Sequence, residues 1–256
     1  MDFSSIASRI ADVPGSVGFL YSCPETGETY EHCADQPMMA ASVIKLPIMA
    51  EAFRQMHEGL LDGNRVITIR KEDKLPSCGA LTYMHDGLEV TVYDLITLMV
   101  ILSDNTATNI MIDLLGMDQI NRLMDDLGLT GSRLNRKLFR PELSRQGIEN
   151  YVTARDMAKL LQMMLDGELV SPEASCEMLR ILGDQRLNGK MPFFLHPMGI
   201  RVAHKTVEDD GITHDVGVVY DEKPFIMCFL SNQTEVTAAI RAMQDIALML
   251  VKRKSS

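Results

Sequence analysis

Three short polar segments, far apart in the chain, contain the residue types that acyl transfer through a serine requires. Ser42 lies three residues before Lys45, Ser103-Asp104-Asn105 follows about sixty residues later, and Lys205-Thr206 lies near the C-terminal end. A serine hydroxyl is a weak nucleophile until a neighbouring base takes its proton, and the oxyanion that forms needs hydrogen-bond donors. The three segments could supply a nucleophile, a base, a proton shuttle and an anchor for a carboxylate.

The first segment combines a hydroxyl and an amine at helical spacing. Ser42 and Lys45 should lie on one face of a helix, with the amine within reach of the hydroxyl. The surrounding residues 38–50 are almost entirely apolar, and burial would lower the pKa of Lys45 and suit it to act as a base. The alternative is that Ser42 only caps a helix and Lys45 is solvated, because the Ser-x-x-Lys pattern is common by chance.

The other two segments are also ambiguous when each is taken alone. Ser103-Asp104-Asn105 lies between two helical patterns, where small polar residues often satisfy free backbone groups at a corner. Lys205-Thr206 falls in a predicted strand over residues 200–207, and such pairs are ordinary on a solvated strand face. The order and spacing of all three segments together carry the functional interpretation.

In this order, Ser-x-x-Lys, Ser-Asp-Asn and Lys-Thr form the signature of class A β-lactamases and penicillin-binding proteins. The chain resembles class A β-lactamase-like serine hydrolases over essentially its whole length. Further similarities lie in residues 201–206, in residues 211–217 and in Asp86-Gly87. The resemblance implies that Ser42 is the acylated nucleophile, that Lys45 is its base, directly or through water, and that the backbone N–H groups of Ser42 and Glu208 form the oxyanion hole.

The resemblance also assigns roles to the two later segments. Ser103 would pass a proton to the leaving nitrogen with the help of Lys205, and Asp104 would tie the helical part together. Asn105 would hold the side-chain amide of the substrate. Lys205 and Thr206 would bind the substrate carboxylate.

The chain departs from the family pattern directly after Lys205-Thr206. Val207 stands where the family has glycine, and a β-branched side chain there would narrow the cleft or move the strand. Glu208, Asp209 and Asp210 then place negative charge beside a site that should attract a carboxylate. This negative charge is expected to weaken the binding of ordinary penicillins.

The second departure concerns the glutamate that activates water for deacylation in the family. It lies on a loop that corresponds to residues 133–150, and two alternative alignments put either Leu138 or Arg140 at its position. Neither residue is an acid. Glu142 is our candidate for this role, with Glu149 as the alternative, and either could activate water only if the loop follows a different path. Otherwise both are surface charges.

Strand patterns at both ends of the chain, with helical patterns between them, predict an α/β (α+β) fold. We expect an antiparallel sheet of about five strands, flanked by helices, with an inserted all-helical domain. The strands are predicted at residues 17–23, 28–33, 200–207, 214–220 and 224–231. Residues 1–41 and 184–256 would form the sheet domain and residues 42–183 the helical domain, with the active site between them.

Helix boundaries follow from capping residues along the chain. Thr91 begins a capping box, and Thr106, Thr153 and Ser171 are predicted to cap further helices. Additional helices are expected over residues 3–12, 42–61 and 235–252. The helix after Thr91 is apolar on all sides, which indicates a central, buried position.

Composition excludes several other classes of protein. A net charge of −10 argues against a nucleic-acid partner. The longest apolar stretch is too short to span a bilayer, and no leader pattern is visible in residues 1–20, so we predict a cytoplasmic protein, or a secreted one if a leader was removed. The 5 cysteines are scattered, which favours a reducing compartment. No metal-ligand spacing of His and Cys appears, so we expect no metal or cofactor. We further expect a small-molecule substrate, no membrane partner and a monomer.

Three functions are compatible with these residues. The first is a serine hydrolase that cleaves a β-lactam or related amide or ester through an acyl-enzyme on Ser42. The second is a penicillin-binding or esterase-like protein that is acylated but turns over slowly, which the missing loop acid favours. The third is a non-catalytic scaffold, which the joint presence of the motif residues argues against.

Overall fold

The computed structural model describes residues 3–76 and 78–252. Its helices are α1 Ser4–Ala11, α2 Lys45–His57, α3 Val92–Ile101, α4 Asn105–Leu115, α5 Met117–Asp126, α6 Pro141–Ser144, α7 Ala154–Leu165, α8 Pro172–Gly183 and α9 Val236–Lys252. Its strands are β1 Ser16–Cys23, β2 Glu28–His32, β3 Met38–Met39, β4 Val66–Ile69, β5 Leu88–Thr91, β6 Tyr151–Val152, β7 Arg201–Asp209, β8 Ile212–Tyr220 and β9 Phe225–Asn232.

The central feature is a five-stranded antiparallel sheet in the order β2-β1-β9-β8-β7. Strands from the N-terminal and C-terminal segments meet where β1 pairs with β9. The predicted five-stranded antiparallel sheet is therefore confirmed. Strands β8 and β9 are buried over almost their whole length because helices cover both faces of the sheet.

One continuous core joins the sheet to the helical part of the chain. Helices α7 and α8 pack on one face of the sheet, whereas α9 packs on the other face and also contacts α1. The main hydrophobic cluster includes Leu20 and Val216 of the sheet together with Ile48 of α2 and Leu95 of α3. The helices of residues 42–183 are thus fixed to the sheet by burial of shared apolar surface.

Helix α2 is the central helix of the insert, and it begins at Lys45. Its residues from Lys45 to Phe53 are all buried, including the charged Lys45 and Glu51. The predicted helix over residues 42–61 differs at its start, because residues Ala41–Ile44 form a short 3-10 turn. Ser42 therefore lies in the tighter turn that leads into α2.

The capping predictions are confirmed at three positions and corrected at one. The side chains of Thr91, Thr153 and Ser171 each accept a hydrogen bond from the backbone N–H three residues later. The predicted cap at Thr106 is wrong, because α4 already begins at Asn105 and Asp104 is its cap. Asp104 has an extended backbone, which lets its carboxylate accept from the N–H of Ala107.

The insert is mostly helical but also contains elements that were not predicted. Strands β4 and β5 form a small hairpin, and β3 pairs with β6. These strands are two to four residues long, too short for a recognisable alternation. Helix α5 was missed although Ile120, Leu123 and Met124 have helical spacing and are buried. None of the described helices is both long and apolar enough to cross a membrane.

Candidate active site

A cleft of about 710 Å³ lies where the turn of Ser42, the start of α4, the end of β7 and two loops meet. Five of the eight predicted site residues line it, namely Ser42, Ser103, Asn105, Thr206 and Glu208. The remaining lining residues are Ala41, Cys78, Arg136, Leu138, Phe139, Arg140, Pro141, Ser144, Leu187, Asn188, Gly189, Lys190, Val207, Asp209 and Ile240. The fold thus brings the three sequence motifs to one cleft.

The segment that leads to Ser42 has an unusual backbone conformation at Ala41 and is hydrogen-bonded to the sheet at Met39. Ala41, directly before it, has φ of 41°, in the left-handed region that L-residues rarely adopt. Met39 N donates to Asn232 Oδ1 at 2.7 Å, and His214 Nε2 donates to Met39 O at 2.8 Å. Backbone strain of this kind persists only where the surrounding structure fixes it, as at many catalytic residues.

His214 acts in the structure as a buried, neutral support for this segment. Its Nδ1 accepts from Ser231 N at 3.0 Å, so the proton is on Nε2, which faces Met39. Burial lowers the pKa of His214 to about 4, which keeps the ring neutral at ordinary pH. His214 therefore positions the turn of Ser42.

Lys45 is completely buried, and its amine is hydrogen-bonded to the segment Ser103-Asp104-Asn105. Its Nζ lies 2.7 Å from Ser103 O, 3.0 Å from Ser103 Oγ and 2.9 Å from Asn105 Oδ1. Within the described part of the chain, no hydrogen bond joins Lys45 Nζ to Ser42; of the two expected routes, direct or through water, the structure shows no direct hydrogen bond. Burial, followed by the charge of Lys205, holds the pKa of Lys45 well below its usual value. A neutral amine can donate to Ser103 O and Asn105 Oδ1 and accept the hydroxyl proton of Ser103.

Ser103 connects Lys45 and Lys205 through its hydroxyl group. Its Oγ is 3.0 Å from Lys45 Nζ and 3.1 Å from Lys205 Nζ, and its φ is 55°. Asp104, the next residue, accepts hydrogen bonds from the backbone N–H groups of Ala80 and Leu81 as well as capping α4. This agrees with the expected structural role of Asp104. Ser103 lines the cleft, whereas both lysines lie behind it.

The third motif places Lys205 and Thr206 side by side on β7 but with different partners. Lys205 Nζ donates to Thr206 O at 2.6 Å and to Ser103 Oγ. Burial, and secondly the charge of Lys190, lower the pKa of Lys205 to about 7, while Asp215 partly opposes this. Thr206 Oγ1 donates to His214 O at 3.2 Å. The threonine hydroxyl proton is therefore already used within the sheet.

Lys190 is a site residue that the sequence did not reveal. It lines the cleft, is 5% exposed, and donates to Thr206 Oγ1 at 3.0 Å and to Val207 O. Burial lowers the pKa of Lys190, and the charges of Asp215 and Glu208 partly restore it. An isolated lysine in a loop matches no motif, so only the fold places Lys190 in the cleft.

A buried histidine–aspartate pair fixes the loop that carries Lys190. His204 Nδ1 is 2.7 Å from Asp215 Oδ1, and His204 Nε2 is 3.0 Å from Asn188 Oδ1. Asp215 Oδ2 accepts from Met191 N at 3.0 Å. The two ends of the segment 188–191 are thus attached to one fully buried pair.

The loop of residues 133–150 presents apolar and basic side chains to the cleft. Leu138 lines it and is 9% exposed. The side chain of Asn109 holds Leu138 at both backbone groups, at 2.9 Å from Leu138 N and 3.0 Å from Leu138 O. Arg140 also lines the cleft. Both alternatives from the sequence alignment therefore face the cleft, and neither is an acid.

The expected role of Glu142 needs correction. Its side chain is 53% exposed, lies 3.8 Å from Arg140 in an ion pair, and does not line the cleft. Glu149 is held by Arg136 and Ser144 and is also outside the cleft lining. The loop places Leu138 towards the cleft and both acids away from it. Among the described residues, no group of three or more His, Cys, Asp or Glu side chains could hold a metal ion.

Comparisons with known proteins agree with this geometry. A family model described as "Beta-lactamase enzyme family" matches residues 3–253. The crystal structure of a β-lactamase from Sphaerobacter thermophilus is 32% identical, covers 100% of this chain and 98% of that chain, and has a TM-score of 0.92. The structure of PBP-A is 25% identical, with coverage of 98% and 95% and a TM-score of 0.88.

Two further findings concern related proteins. A mutant of PBP-A has been solved as an acyl-enzyme complex with penicillin G, also at a TM-score of 0.88. A β-lactamase from Rhodobacter capsulatus is 28% identical over 176 residues, which are 67% of this chain. The match spans only 59% of the length of that relative.

Proposed function

This chain belongs to the beta-lactamase enzyme family, and we propose that it is a serine hydrolase that forms an acyl-enzyme on Ser42. Its substrate would be a β-lactam, or a related amide or ester that bears a carboxylate. The observation that carries this proposal is the position of Ser103 Oγ between Lys45 and Lys205, in the cleft that Ser42 lines. The acyl-enzyme of the PBP-A mutant with penicillin G supports the same chemistry.

In the proposed acylation, Ser42 Oγ attacks the carbonyl carbon of the substrate while neutral Lys45 accepts the hydroxyl proton, directly or through water. The bond between the carbonyl carbon and the leaving nitrogen then breaks. Ser103 gives its proton to that nitrogen and recovers one from Lys45, to which it is hydrogen-bonded. The net result is an ester on Ser42 and a protonated leaving group, with every proton accounted for.

We propose that release of the acyl group is slow, which was the alternative interpretation of the sequence. Hydrolysis of the ester requires a base that removes a proton from water as the water attacks. The loop residue that faces the cleft is Leu138, and its side chain cannot accept a proton. Glu142 and Glu149 are directed elsewhere, so neither is retained as the deacylating acid.

Intact-protein mass spectrometry after addition of benzylpenicillin tests this function. We expect an adduct of the mass of the intact penicillin, which persists for minutes or longer and maps to the peptide that contains Ser42. Product that accumulates rapidly without a persistent adduct would instead indicate efficient hydrolysis. The absence of any adduct, with benzylpenicillin and with a panel of simple esters, would reject acyl transfer at this site.

The pH dependence of acylation should report the ionisation of Lys205. Its pKa of about 7 means that it is charged below this pH and neutral above it. Charged Lys205 donates to Ser103 Oγ and helps Ser103 to give up its proton, so the second-order rate constant of acylation should fall as pH rises through about 7. Lys205→Arg keeps its charge across this range and should lose that decline. A flat wild-type profile between about pH 6 and 8.5 would contradict the assignment.

A further inference from the structure

We propose that His204 carries a proton on both ring nitrogens and, as an imidazolium paired with Asp215, is a positioning residue for one wall of the cleft. This cleft wall consists of residues 187–190, all four of which line the cleft, namely Leu187, Asn188, Gly189 and Lys190. The effect on the reaction rests on the proposed acyl transfer at Ser42, whereas the protonation of His204 does not depend on it.

Both ring nitrogens of His204 face hydrogen-bond acceptors. Nδ1 is 2.7 Å from Asp215 Oδ1, and Nε2 is 3.0 Å from Asn188 Oδ1. The Asn188 amide cannot be turned round, because its Nδ2 donates to Gln185 O at 2.9 Å and a carbonyl oxygen only accepts. A neutral imidazole has a single N–H and would leave one ring nitrogen lone pair against an oxygen lone pair. An imidazolium donates to both oxygens.

Asp215 supplies the counter-charge that a buried imidazolium requires. Both side chains are completely buried, and a charge in such a place is stable only when it is paired. Asp215 Oδ2 also accepts a hydrogen bond from Met191 N at 3.0 Å, and this contact favours the carboxylate over the carboxylic acid. A protonated Asp215 that donates to a neutral ring is therefore the less favourable arrangement.

The other titratable groups around His204 come from the elements packed against it. They are Asp215 on β8, Lys190 in the cleft wall, Lys205 on β7 and His196 in the turn His196–Met198. Burial lowers the pKa of Lys190 and of Lys205, and the charge of Asp215 opposes this at both. Burial, followed by the charge of His204, lowers the pKa of His196. Helices α8 and α9 contribute ion pairs of their own, Arg180–Asp184 and Arg241–Asp245.

The position of the cleft wall depends on the proton at His204 Nε2. The ring holds Asn188 within the wall, and Asp215 holds Met191 directly after it. If the ring lost one proton, the other would stay on Nδ1, because a hydrogen bond to a carboxylate is stronger than one to an amide. Asn188 would then lose its donor, and only the contact of Gly189 O with Gln244 Nε2 would hold the middle of the wall.

The cleft wall acts on the reaction through Lys190 and the end of β7. The amine of Lys190 donates to Val207 O. Val207 O and the N–H of Glu208 belong to one planar peptide group, and this N–H is one of the two expected donors of the oxyanion hole. A donor on the carbonyl oxygen polarises the peptide group and fixes the direction of its N–H, which strengthens the stabilisation of an oxyanion. Protonated His204 thereby supports the transition state without touching the substrate.

Nitrogen NMR of the wild-type protein with isotopically labelled histidine tests the protonation directly. At neutral pH, His204 should show a proton on each ring nitrogen, and its signals are distinguished from those of the other histidines by their loss in His204→Gln. Asp215→Asn removes the counter-charge and should leave His204 with a single N–H. A singly protonated ring in the wild type, or a doubly protonated ring in Asp215→Asn, would overturn the proposal.

Acylation kinetics with benzylpenicillin test the positioning role. His204→Gln should lower the limiting rate constant of acylation by about tenfold or more and change the half-saturating concentration by no more than about twofold, because an oxyanion donor acts in the transition state. Asp215→Asn should have a similar effect. The double variant should be no slower than the slower single variant, since both residues act through the same contact with the cleft wall.

Two matched controls separate positioning from general loss of stability. His196→Gln changes an exposed histidine near His204 and should alter neither kinetic constant. Asp156→Asn removes a buried carboxylate that accepts from Gly131 N and Ser132 Oγ away from the cleft, so it should lower the melting temperature but not the rate constant. An unchanged rate constant in His204→Gln, or an equal loss in Asp156→Asn, would overturn the positioning role. Failure of wild-type acylation would contradict the proposed function instead, and the NMR result would be unaffected.

Discussion

Replacement of Leu138 by glutamate is expected to shorten the lifetime of the acyl-enzyme by about 10²–10⁴-fold, the usual contribution of a positioned general base. Leu138 faces the cleft that Ser42 and Asn105 line. Its backbone is fixed at both N and O by Asn109, so a glutamate there would start from a defined position. Its carboxylate would take a proton from water as that water attacks the ester on Ser42.

This prediction has a matched control in Leu138→Gln. Glutamine has nearly the size and polarity of glutamate but cannot act as the base, so its acyl-enzyme should be about as long-lived as that of the wild type. The measurement is the decay of the adduct mass after excess benzylpenicillin is removed. Equal decay of the glutamate and glutamine variants would argue that the loop does not limit release.

Measurement of adduct decay also tests whether Glu142 or Glu149 activates water. Glu142→Gln should leave the decay of the adduct unchanged, because this side chain is exposed and outside the cleft. Glu149→Gln is expected to disturb the loop, because the Glu149 carboxylate accepts hydrogen bonds from Arg136 and Ser144. A markedly longer adduct lifetime in Glu142→Gln would restore Glu142 as the deacylating acid.

Replacement of Ser42 by alanine is expected to slow acylation by more than about 10⁴-fold, which puts the adduct below detection. Removal of the nucleophile leaves no atom to carry the acyl group, whatever the state of Lys45. The fold should be retained, because Ser42 is only half-buried and lies in a short turn whose neighbours anchor it. Mass spectrometry with the same penicillin, together with circular dichroism, checks both expectations.

Two other nucleophiles in the cleft provide controls for Ser42→Ala. Ser144→Ala removes a second cleft-lining hydroxyl and should leave acylation at the wild-type level. Cys78 is an exposed cysteine that also lines the cleft, so the adduct in the wild type must be mapped to its peptide. An adduct that persists in Ser42→Ala, or that maps to Cys78, would refute Ser42 as the nucleophile.

The sequence by itself was sufficient for the family, the central sheet and five residues that line the cleft. The strand periodicities at both ends predicted the five-stranded sheet to within one or two residues at most strand ends. The three motifs predicted that Lys45 and Lys205 belong to the same site as Ser103, because a motif is recognised by the type and order of its residues. The short strands β3 to β6 have no readable pattern and were not predicted, and α5 was not predicted although its pattern is present.

The tertiary structure alone decided which partners those residues have. Lys45 and Ser103 are 58 residues apart in the chain, and Lys190 reaches Thr206 across 16 residues, so neither contact has a local signature. The position of Glu142 outside the cleft lining follows from the path of the loop, which Asn109 fixes by contacts 29 residues away. Residue type and local periodicity are properties of the sequence. The direction of a side chain into a cleft depends on packing between distant segments. The motif of Ser42 could therefore be predicted from the sequence, whereas only the fold places Lys190 in the cleft and decides that Leu138, rather than an acid of the same loop, faces it.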